Sequence, residues 1–207
     1  MKLLSAFRAP NPRRVLMFIA EKGISGIEIQ NVTLNEHEQF GPEHRAKSPF
    51  GKVPVLQLDD GRWLSETRAI CSCLEGLHPE PNLMGRDATE RAFIEMADRQ
   101  CEHYLMAPLA QWIRHGHPGL KVLEGTQFPD FAQRQSELAL ANLRIFDERL
   151  AERPWMAGER FTIADITAFC GAEFARGLMK LNLRERGFAH LADWRDRMAA
   201  RPSAAVV

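Results

Sequence analysis

The chain has 207 residues, and its 27 lysines and arginines balance its 27 aspartates and glutamates to a formal net charge of zero. That balance excludes the electrostatic footprint of a nucleic-acid-binding protein or of a protein held on an anionic membrane surface. With 45% hydrophobic and 26% charged residues, the composition is that of an ordinary globular protein and not of a disordered one.

Cysteine usage indicates a reducing compartment. The four cysteines form no CxxC pair, no secreted-type disulfide framework and no His/Cys metal spacing. The N-terminus lacks the apolar core of a signal peptide, and no apolar stretch reaches the roughly 18 residues that a membrane span needs. We therefore expect a soluble cytoplasmic protein without a metal, a nucleic acid or a membrane among its partners. The sequence contains a single tyrosine, Tyr104.

The first stretch of the chain predicts a strand, a helix and a second strand. Residues 2–6 are short and apolar, and the pair Asn11–Pro12 combines a favoured N-cap with a favoured first helical residue. Gly23 is a stop signal for that helix. Ile27 and Ile29 then alternate with polar residues, as in a half-buried strand. The chain is therefore expected to open as β-α-β.

A hairpin and a helix are predicted next. Residues 53–58 and 62–64 flank an Asp-Asp-Gly turn, the pattern of an antiparallel hairpin. Ser65 is a favoured cap for a following helix, whose apolar face is expected to reach Leu77. The Pro-rich segment that follows, residues 78–85, sustains neither helix nor strand.

The remainder of the chain predicts helices alone. Thr162 and Asp165 fit a capping box, which is a structural signal and not a catalytic one. The predicted helices cover residues 87–115, 130–153, 162–179 and 188–200. The expected organisation is a first domain over residues 1–78, a linker over 79–86 and an all-helical domain over 87–207.

Two pairs of residues suit a small peptide-like ligand. The proline of Val53–Pro54 stands at the head of a strand; if the bond is cis, Val53 presents its N–H and C=O to an extended peptide, which pairs by strand addition. In the pair Glu66–Thr67, the N–H groups of a helix start bind carboxylate while Glu66 holds an ammonium. An edge-strand proline without a ligand, and a glutamate that only complements the helix dipole, are the alternatives.

Three segments of the sequence stand in a recognisable order and spacing. They are Ser48-Pro49-Phe50-Gly51-Lys52-Val53-Pro54-Val55-Leu56, Ser65-Glu66-Thr67-Arg68-Ala69-Ile70 and Phe161-Thr162-Ile163-Ala164-Asp165-Ile166. Together they resemble the cytosolic glutathione transferases, and the resemblance covers essentially the whole chain. It implies a thioredoxin-like α/β N-terminal domain, an all-α C-terminal domain and a homodimeric detoxifying enzyme. It also implies glutathione as co-substrate and a small hydrophobic electrophile as its reaction partner.

The resemblance assigns roles to individual residues. By that similarity, the backbone of Val53 pairs with the cysteinyl backbone of glutathione, Pro54 is cis, and Glu66 with Thr67 holds the γ-glutamyl end. The glycyl carboxylate needs a cation or an amide donor. The candidates for it are Lys52, His37 and Gln39, with a solvated strand-edge lysine and an ordinary loop histidine as the alternatives for the first two.

The segment after the first strand lacks the residue that usually activates the thiol. Lowering a thiol pKa from about 8.5 to about 6.5 requires about 2.7 kcal/mol of preferential anion stabilisation. In most classes a Tyr, Ser or Cys supplies part of it, but residues 6–12 contain none, and Ser5 comes too early. The pattern is similar to an atypical yeast and bacterial branch, in which a serine and a histidine of the helical domain position a water instead. His115 fits that histidine, but Ala110 stands where the serine is expected.

What remains to stabilise a thiolate is the start of the helix at Asn11–Pro12. A helix end contributes about 0.3–1 kcal/mol when exposed and up to about 2 when partly buried. One charge-assisted hydrogen bond, from the Asn11 amide or from Arg8 or Arg13 nearby, adds about 1.5–3. Asn11 and His115 are therefore the catalytic candidates. Capping alone also explains Asn11, and the helix dipole also explains His115.

The first long helix predicts a wall for an electrophile pocket. One stripe at helical spacing is expected to face that pocket and another to pack into the core. The predicted pocket residues are Tyr104, Pro108, Gln111 and His115, with Phe7 and Ile113 near the rim. The predicted core stripe is Leu105, Leu109 and Trp112. Phe50 is either a key that inserts into a partner subunit or an ordinary core phenylalanine.

Different functions stay open at this point. The first is attack of glutathione on small electrophiles. The second is a glutathione-fold binding or scaffold protein with little or no turnover; the missing hydroxyl or thiol favours it, and the intact Val53–Pro54 and Glu66–Thr67 pairs oppose it. A glutathione-dependent peroxidase or disulfide reductase would need a thiol after the first strand, and that segment has none.

Overall fold

The computed structural model describes residues 1–206, and the chain divides into two compact units. Unit 1 runs from Met1 to Asn82 and also includes Ala205 and Val206, and unit 2 runs from Leu83 to Ala204. Among residues 1–206, no helix has the length and apolar character that crossing a membrane demands.

Unit 1 is a mixed four-stranded sheet with helices. The strand order is β2-β1-β3-β4; β1 runs parallel to β2 and antiparallel to β3, and β4 is antiparallel to β3. The β-α-β and β-β-α order expected from the sequence is confirmed. The elements are β1 (Lys2–Ser5), α1 (Pro10–Glu21), β2 (Glu28–Asn31), α2 (Pro42–Arg45), β3 (Val55–Gln57), β4 (Trp63–Ser65) and α3 (Thr67–Leu77), with 3₁₀ turns at Leu34–Glu36 and Glu38–Phe40.

The core of unit 1 lies between the sheet and the pair α1 and α3. Val15 and Phe18 of α1 and Ile70 and Leu74 of α3 are fully buried. Leu77, expected on the same apolar face, is instead mostly exposed because it is the last residue of its helix. The burial of each of these four side chains stabilises the unit by about 1.5–3 kcal/mol.

Both helix starts in unit 1 differ from the sequence-based expectation by one or two residues. Asn11 was expected as the N-cap of α1, but the helix begins at Pro10 and Ala9 is its N-cap. Ala9 is extended, with ψ of 134°, which is the conformation that a residue preceding proline favours. Ser65 is the last residue of β4, so Glu66 and not Ser65 is the N-cap of α3.

Unit 2 is helical, as predicted. A long helical segment comprises α4 (Ala88–Gln100), a π-helical turn (Cys101–Met106) and α5 (Ala107–Gly116). The short helices that follow were not predicted, and the π-helical turn was not foreseen. The remaining elements are a 3₁₀ turn at Pro118–Leu120, α6 (Lys121–Glu124), α7 (Pro129–Glu152), α8 (Ile163–Met179), α9 (Ala189–Ala199) and a 3₁₀ turn at Pro202–Ala205.

The first turn of α8 is capped by side chains at its own N-terminus. The capping box between Thr162 and Asp165 is present, as predicted. The fully buried Asp165 carboxylate accepts hydrogen bonds at 2.9 Å from three donors: the N–H groups of Thr162 and Met156 and the indole Nε1 of Trp194. Burial raises the pKa of the Asp165 carboxyl to about 6, against the opposing effect of these hydrogen bonds.

Candidate active site

Four loops meet at one edge of the sheet in unit 1. Leu4 pairs with Val55, and Val55 pairs with Ser65, so β3 starts beside the ends of β1 and β4. The end of β2 lies at the same edge, because Ser5 pairs with Asn31. Both α1 and α3 begin in loops that leave this edge. The candidate residues that precede β3 and follow β4 are therefore neighbours.

The side chain of Val53 is packed, whereas its main-chain groups are available to a ligand. The Val53–Pro54 peptide bond is cis, as the resemblance implies. The Val53 side chain packs against a cluster that includes Leu4 and Val55. No hydrogen bond within residues 1–206 uses the N–H or the C=O of Val53. Two adjacent main-chain groups without a partner can pair with an extended peptide as one rung of an antiparallel ladder.

Glu66 has an unusual backbone for a non-glycine residue. Its φ of 70° and ψ of 118° place it in the positive-φ region, at a cost of order 1–3 kcal/mol. Its carboxylate is exposed and makes no hydrogen bond or ion pair with residues 1–206. The first bond of α3 runs from Ile70 N–H to Glu66 C=O, so the N–H groups of Thr67 and Ala69 precede the hydrogen-bond ladder. This corner suits an ammonium together with a carboxylate.

The backbone around Lys52 is fixed at both ends. Its N–H donates to Ser48 Oγ at 3.2 Å, and its C=O lies 3.0 Å from His44 Nε2. The ammonium of Lys52 is exposed and forms no ion pair within residues 1–206. Gly51 has a positive φ, and a side chain there would meet the carbonyl oxygen of Gln39 at 2.9 Å. Lys52 therefore extends beside the segment that carries Gln39.

The other two candidates for the glycyl carboxylate differ in exposure. Gln39 is buried, and its Oε1 has no hydrogen-bond partner within the described residues. A half-turn of that amide exchanges Oε1 for the Nε2 donor that a carboxylate needs. His37 is exposed, and its ring stacks on Phe40 with the ring centroids 6.0 Å apart. Lys52 and Gln39 thus fit the requirement for donors better than His37.

The start of α1 offers few donors. Pro10 and Pro12 have no N–H, and the N–H of Arg13 donates to Ala9 C=O at 3.2 Å. In the first turn, only the N–H of Asn11 is left for a ligand. The Asn11 Oδ1 accepts a hydrogen bond from Arg14 at 3.1 Å, which leaves the Nδ2 end of the amide as a donor.

Several residues that shape this edge escaped the sequence analysis. Arg14 is 1% exposed although it is charged, and it holds the Asn11 amide. Asn31 Oδ1 accepts from Phe7 N–H at 3.0 Å and so fixes the loop after β1. A polar residue at the end of a strand was the only available signal for Asn31. No group of three or more potential metal ligands occurs among residues 1–206.

In unit 2, the His115 ring lies against aromatic side chains. Its centroid is 5.7 Å from that of Phe128 and 5.2 Å from that of Phe131. The Nδ1 atom is buried and has no hydrogen-bond partner within the part of the chain that the structure describes. An enclosed imidazole nitrogen without a partner can accept a hydrogen bond from a water or a ligand.

The predicted stripe on the first long helix is not a single face. Tyr104 is 57% exposed, whereas Pro108 is buried and Ile113 is fully buried, so Ile113 cannot line a rim. Trp112, expected in the core, is half-buried, as is Gln111. The π-helical turn contains more residues per turn than an α-helix, so it changes which residues of this segment share a face.

Comparison with known proteins identifies the family of the chain. Residues 9–77 match the model of the glutathione S-transferase N-terminal domain, and residues 116–202 match that of the C-terminal domain. Glutathione S-transferase 2 of Saccharomyces cerevisiae is 37% identical over 196 residues, which are 94% of this chain and 83% of that protein. The chain therefore belongs to the glutathione S-transferase family.

Solved structures give the same result for the fold. Gtt2 of Saccharomyces cerevisiae superposes with a TM-score of 0.92 at 36% identity, covering 98% of each chain. A glutathione S-transferase domain-containing protein of Marinobacter aquaeolei also reaches 0.92, at 38% identity over 98% of this chain and 99% of its own. The predicted α/β N-terminal and all-α C-terminal fold is confirmed, and so is the likeness to yeast and bacterial members.

Proposed function

We propose that the protein is a glutathione transferase that conjugates the glutathione thiolate to small hydrophobic electrophiles. The observation that carries the proposal is the corner at the sheet edge, where the open main chain of Val53 adjoins the strained, exposed Glu66. One rung of main-chain pairing and one ammonium site together recognise a γ-glutamyl peptide. Thr67 supplies an N–H to the γ-glutamyl carboxylate, and Lys52 with Gln39 holds the glycyl end.

The chemical step requires a thiolate. Bound glutathione loses its thiol proton to bulk water, the sulfur lone pair forms a bond to the electrophilic carbon, and a leaving group departs with its electron pair. The start of α1 stabilises the anion through the N–H and the amide Nδ2 of Asn11. A helix end and one charge-assisted hydrogen bond together reach the approximately 2.7 kcal/mol that a pKa near 6.5 demands.

A bound water held by His115 is a second contributor to the thiolate. The support for it is the buried Nδ1 without a partner in the described residues and the likeness to Gtt2. Phe7, Tyr104 and Gln111 contribute to the electrophile pocket in this proposal. Pro108 supports its wall from a buried position.

A homodimer in the cytoplasm is part of the same proposal. Phe50 is 79% exposed, and Phe93 and Met96 are exposed one turn apart on α4. Large exposed apolar side chains on a folded unit favour coverage by a partner subunit. A Phe50→Ser variant should shift sedimentation toward the monomer, whereas Phe131→Ser, another exposed phenylalanine, should not.

A scaffold protein without turnover is the second candidate. The small number of N–H donors at the start of α1 favours this candidate, since only Asn11 offers a backbone donor there. The elongation factor 1-gamma of Schizosaccharomyces pombe is 30% identical over 162 residues, which are 38% of that protein. A chain of this family can therefore resemble part of a protein whose name describes no transferase.

Two measurements on one sample separate these candidates. We expect conjugation of chlorodinitrobenzene and a thiolate absorbance of bound glutathione that titrates near pH 6.5. Asn11→Ala should raise the thiol pKa by about one unit, and the exposed Asn35→Ala is the control. His115→Ala with undiminished turnover would exclude the water-mediated contribution. Binding with an unshifted thiol pKa and no turnover on several electrophiles would leave the scaffold function.

A further inference from the structure

A cavity of about 380 Å³ lies within unit 2, where the end of α8, the loop after it and α9 meet. Its volume falls in the range of about 300–1,000 Å³ that is common for small-molecule sites. The lining combines a few apolar side chains with four cationic and two anionic ones. No candidate residue for glutathione or for the electrophile is part of this lining, so the cavity has no role in the proposed function.

The loop after α8 supplies apolar lining and is ordered by its own hydrogen bonds. Leu181 and Leu183 border the cavity, and both are buried. The Oδ1 of Asn182 accepts from the N–H of Arg184 at 3.2 Å. The C=O of Leu183 accepts from the N–H of Phe188 at 2.9 Å. A preformed apolar surface of this kind is typical of small-molecule sites.

Glu173 fixes two arginines in the wall of the cavity. Its carboxylate is 9% exposed and accepts from Nε and Nη2 of Arg176 at 2.9 and 2.8 Å and from Nε of Arg195 at 2.8 Å. Nη1 of Arg195 also lies 3.3 Å from Oδ1 of Asp196. Nη1 of Arg176 and Nη2 of Arg195 make no hydrogen bond with residues 1–206. Each guanidinium is therefore held by carboxylates and keeps N–H donors for an anion.

The other two cations of the lining also keep donors. Within the described residues, Nζ of Lys180 donates only to the C=O of Gly177, at 3.3 Å. Arg184 uses Nη2 alone, for Asp193 at 2.8 Å and Asp196 at 3.3 Å. Four cations against two carboxylates give the lining an excess of two positive charges, which Asp193 partly offsets from outside the lining. Positive charge concentrated in a cleft attracts anions.

We propose that this cavity is a binding site for a small organic phosphate monoester. A phosphate group carries about −1.5 to −2 charges at pH 7 and three acceptor oxygens, which match the excess charge and the remaining donors of the arginines and the lysine. The alkyl or aryl group of the ester packs on Leu181 and Leu183. A carboxylate has one charge and two oxygens, so it matches the lining less well. Unit 2 builds this site alone, without glutathione.

Calorimetry on the whole protein tests the site with phenyl phosphate, inorganic phosphate and benzoate. The pH is kept above the second pKa of the phosphate, which is about 6. Phenyl phosphate should bind with one molecule per chain, and added salt should weaken its binding. Inorganic phosphate lacks the apolar ring and benzoate carries a single charge, so each should bind about tenfold more weakly.

Matched substitutions show whether the binding occurs in this cavity. Lys180→Gln and Arg186→Gln each remove one positive charge from an exposed position between α8 and α9, but only Lys180 lines the cavity. Lys180→Gln should weaken phenyl phosphate binding by about fivefold to twentyfold, because a charge-assisted hydrogen bond is lost. Arg186→Gln should leave it unchanged. Leu183→Ala should weaken binding of phenyl phosphate and leave that of inorganic phosphate unchanged, since it removes only apolar lining.

Three results would overturn the assignment. The first is the absence of saturable phenyl phosphate binding up to about 10 mM. The second is an equal loss in Lys180→Gln and Arg186→Gln, which would indicate general attraction of anions. The third is an equal affinity for phenyl phosphate and either of the other two probes. If Leu183→Ala does not fold, as urea denaturation would show, the three probes and the two exposed variants still decide. A protein that conjugates no glutathione would overturn the transferase proposal and leave this site unaffected.

Discussion

The starts of α1 and α3 in unit 1 differ from the starts of α4 and α8 in unit 2. In unit 1, α1 and α3 have no side-chain hydrogen bond at the N-cap. In unit 2, Asp87 caps α4 by accepting from Glu90 N–H at 2.9 Å, and α8 is closed by its capping box. An N-cap side chain contributes about 1 kcal/mol. The two open starts at the sheet edge forgo that stabilisation, since no N-cap side chain accepts from their first-turn N–H groups.

The two open starts also differ from each other. The first turn of α3 presents the N–H groups of Thr67 and Ala69 beside Glu66. The first turn of α1 contains Pro10 and Pro12 and so retains one backbone donor for a ligand. In the proposed function, binding of the glutathione backbone and activation of its thiol therefore depend on separate residues. The start of α3 offers more groups to a ligand than the start of α1 does.

Removing the capping carboxylate at the start of α8 should have the largest effect on stability. Asp165→Ala leaves three buried donors without an acceptor and should lower the free energy of unfolding by about 3–5 kcal/mol. The control is Asp87→Ala, an exposed cap that should cost about 1 kcal/mol. Urea denaturation measures both. Equal losses in the two variants would mean that the network around Asp165 adds nothing to ordinary capping.

The same carboxylate should produce a pH dependence of stability. Its pKa is raised from 3.8 to about 6 in the folded protein, so the folded state binds the proton more tightly than the unfolded chain. Its contribution to stability is therefore greatest below pH 3.8, falls as the pH rises to 6 and is constant above. Between those limits, the unfolding free energy of the parent should fall by about 3 kcal/mol relative to Asp165→Asn. Parallel pH profiles for the two proteins would contradict the raised pKa.

Local signals in the sequence predicted most of the fold. The capping box of α8 and the order of strands and helices along unit 1 depend on residues that are close together or periodic, and both are present. The start of α1 was misplaced because Pro10 and Pro12 are both good first helical residues, and local preference does not rank them. The π-helical turn was missed because Asn142, whose Nδ2 donates to the Tyr104 carbonyl within it, lies far away in sequence.

Some residues of the candidate site could likewise be found from local sequence patterns, and others could not. Val53 and Glu66 were found through short motifs, and their roles toward glutathione stay predictions. Arg14 and Asn31 were missed because a buried arginine, or an asparagine that bonds to Phe7 across 24 positions, has no distinctive local pattern. Sequence reasoning locates groups that contact a ligand more readily than the groups that hold them in place.

Two substitutions of Glu66 separate its proposed role in glutathione binding from the strain of its positive-φ backbone. Glu66→Gln should weaken glutathione binding by about thirtyfold to a hundredfold, because a desolvated ammonium loses its charged partner. Glu66→Gly should lose the same affinity yet gain about 1 kcal/mol of stability, since glycine tolerates the φ of 70°. Calorimetry and urea denaturation provide the two readouts, with the exposed Glu36→Gln as the control. Unchanged affinity would remove Glu66 from the site.

The smallest effect should come from returning a donor to α1. Pro10→Ala adds one N–H to the first turn, and a helix-end interaction of about 0.3–1 kcal/mol should lower the thiol pKa of bound glutathione by about 0.2–0.7. Pro129→Ala at the start of α7 is the matched control, because it adds the same group to a helix start in unit 2. Titration of the thiolate absorbance measures both variants. The pKa should move only in Pro10→Ala, because only that N–H reaches the sulfur. If neither variant moves it, the start of α1 does not interact with the thiolate, and the proposed transferase needs another source of activation.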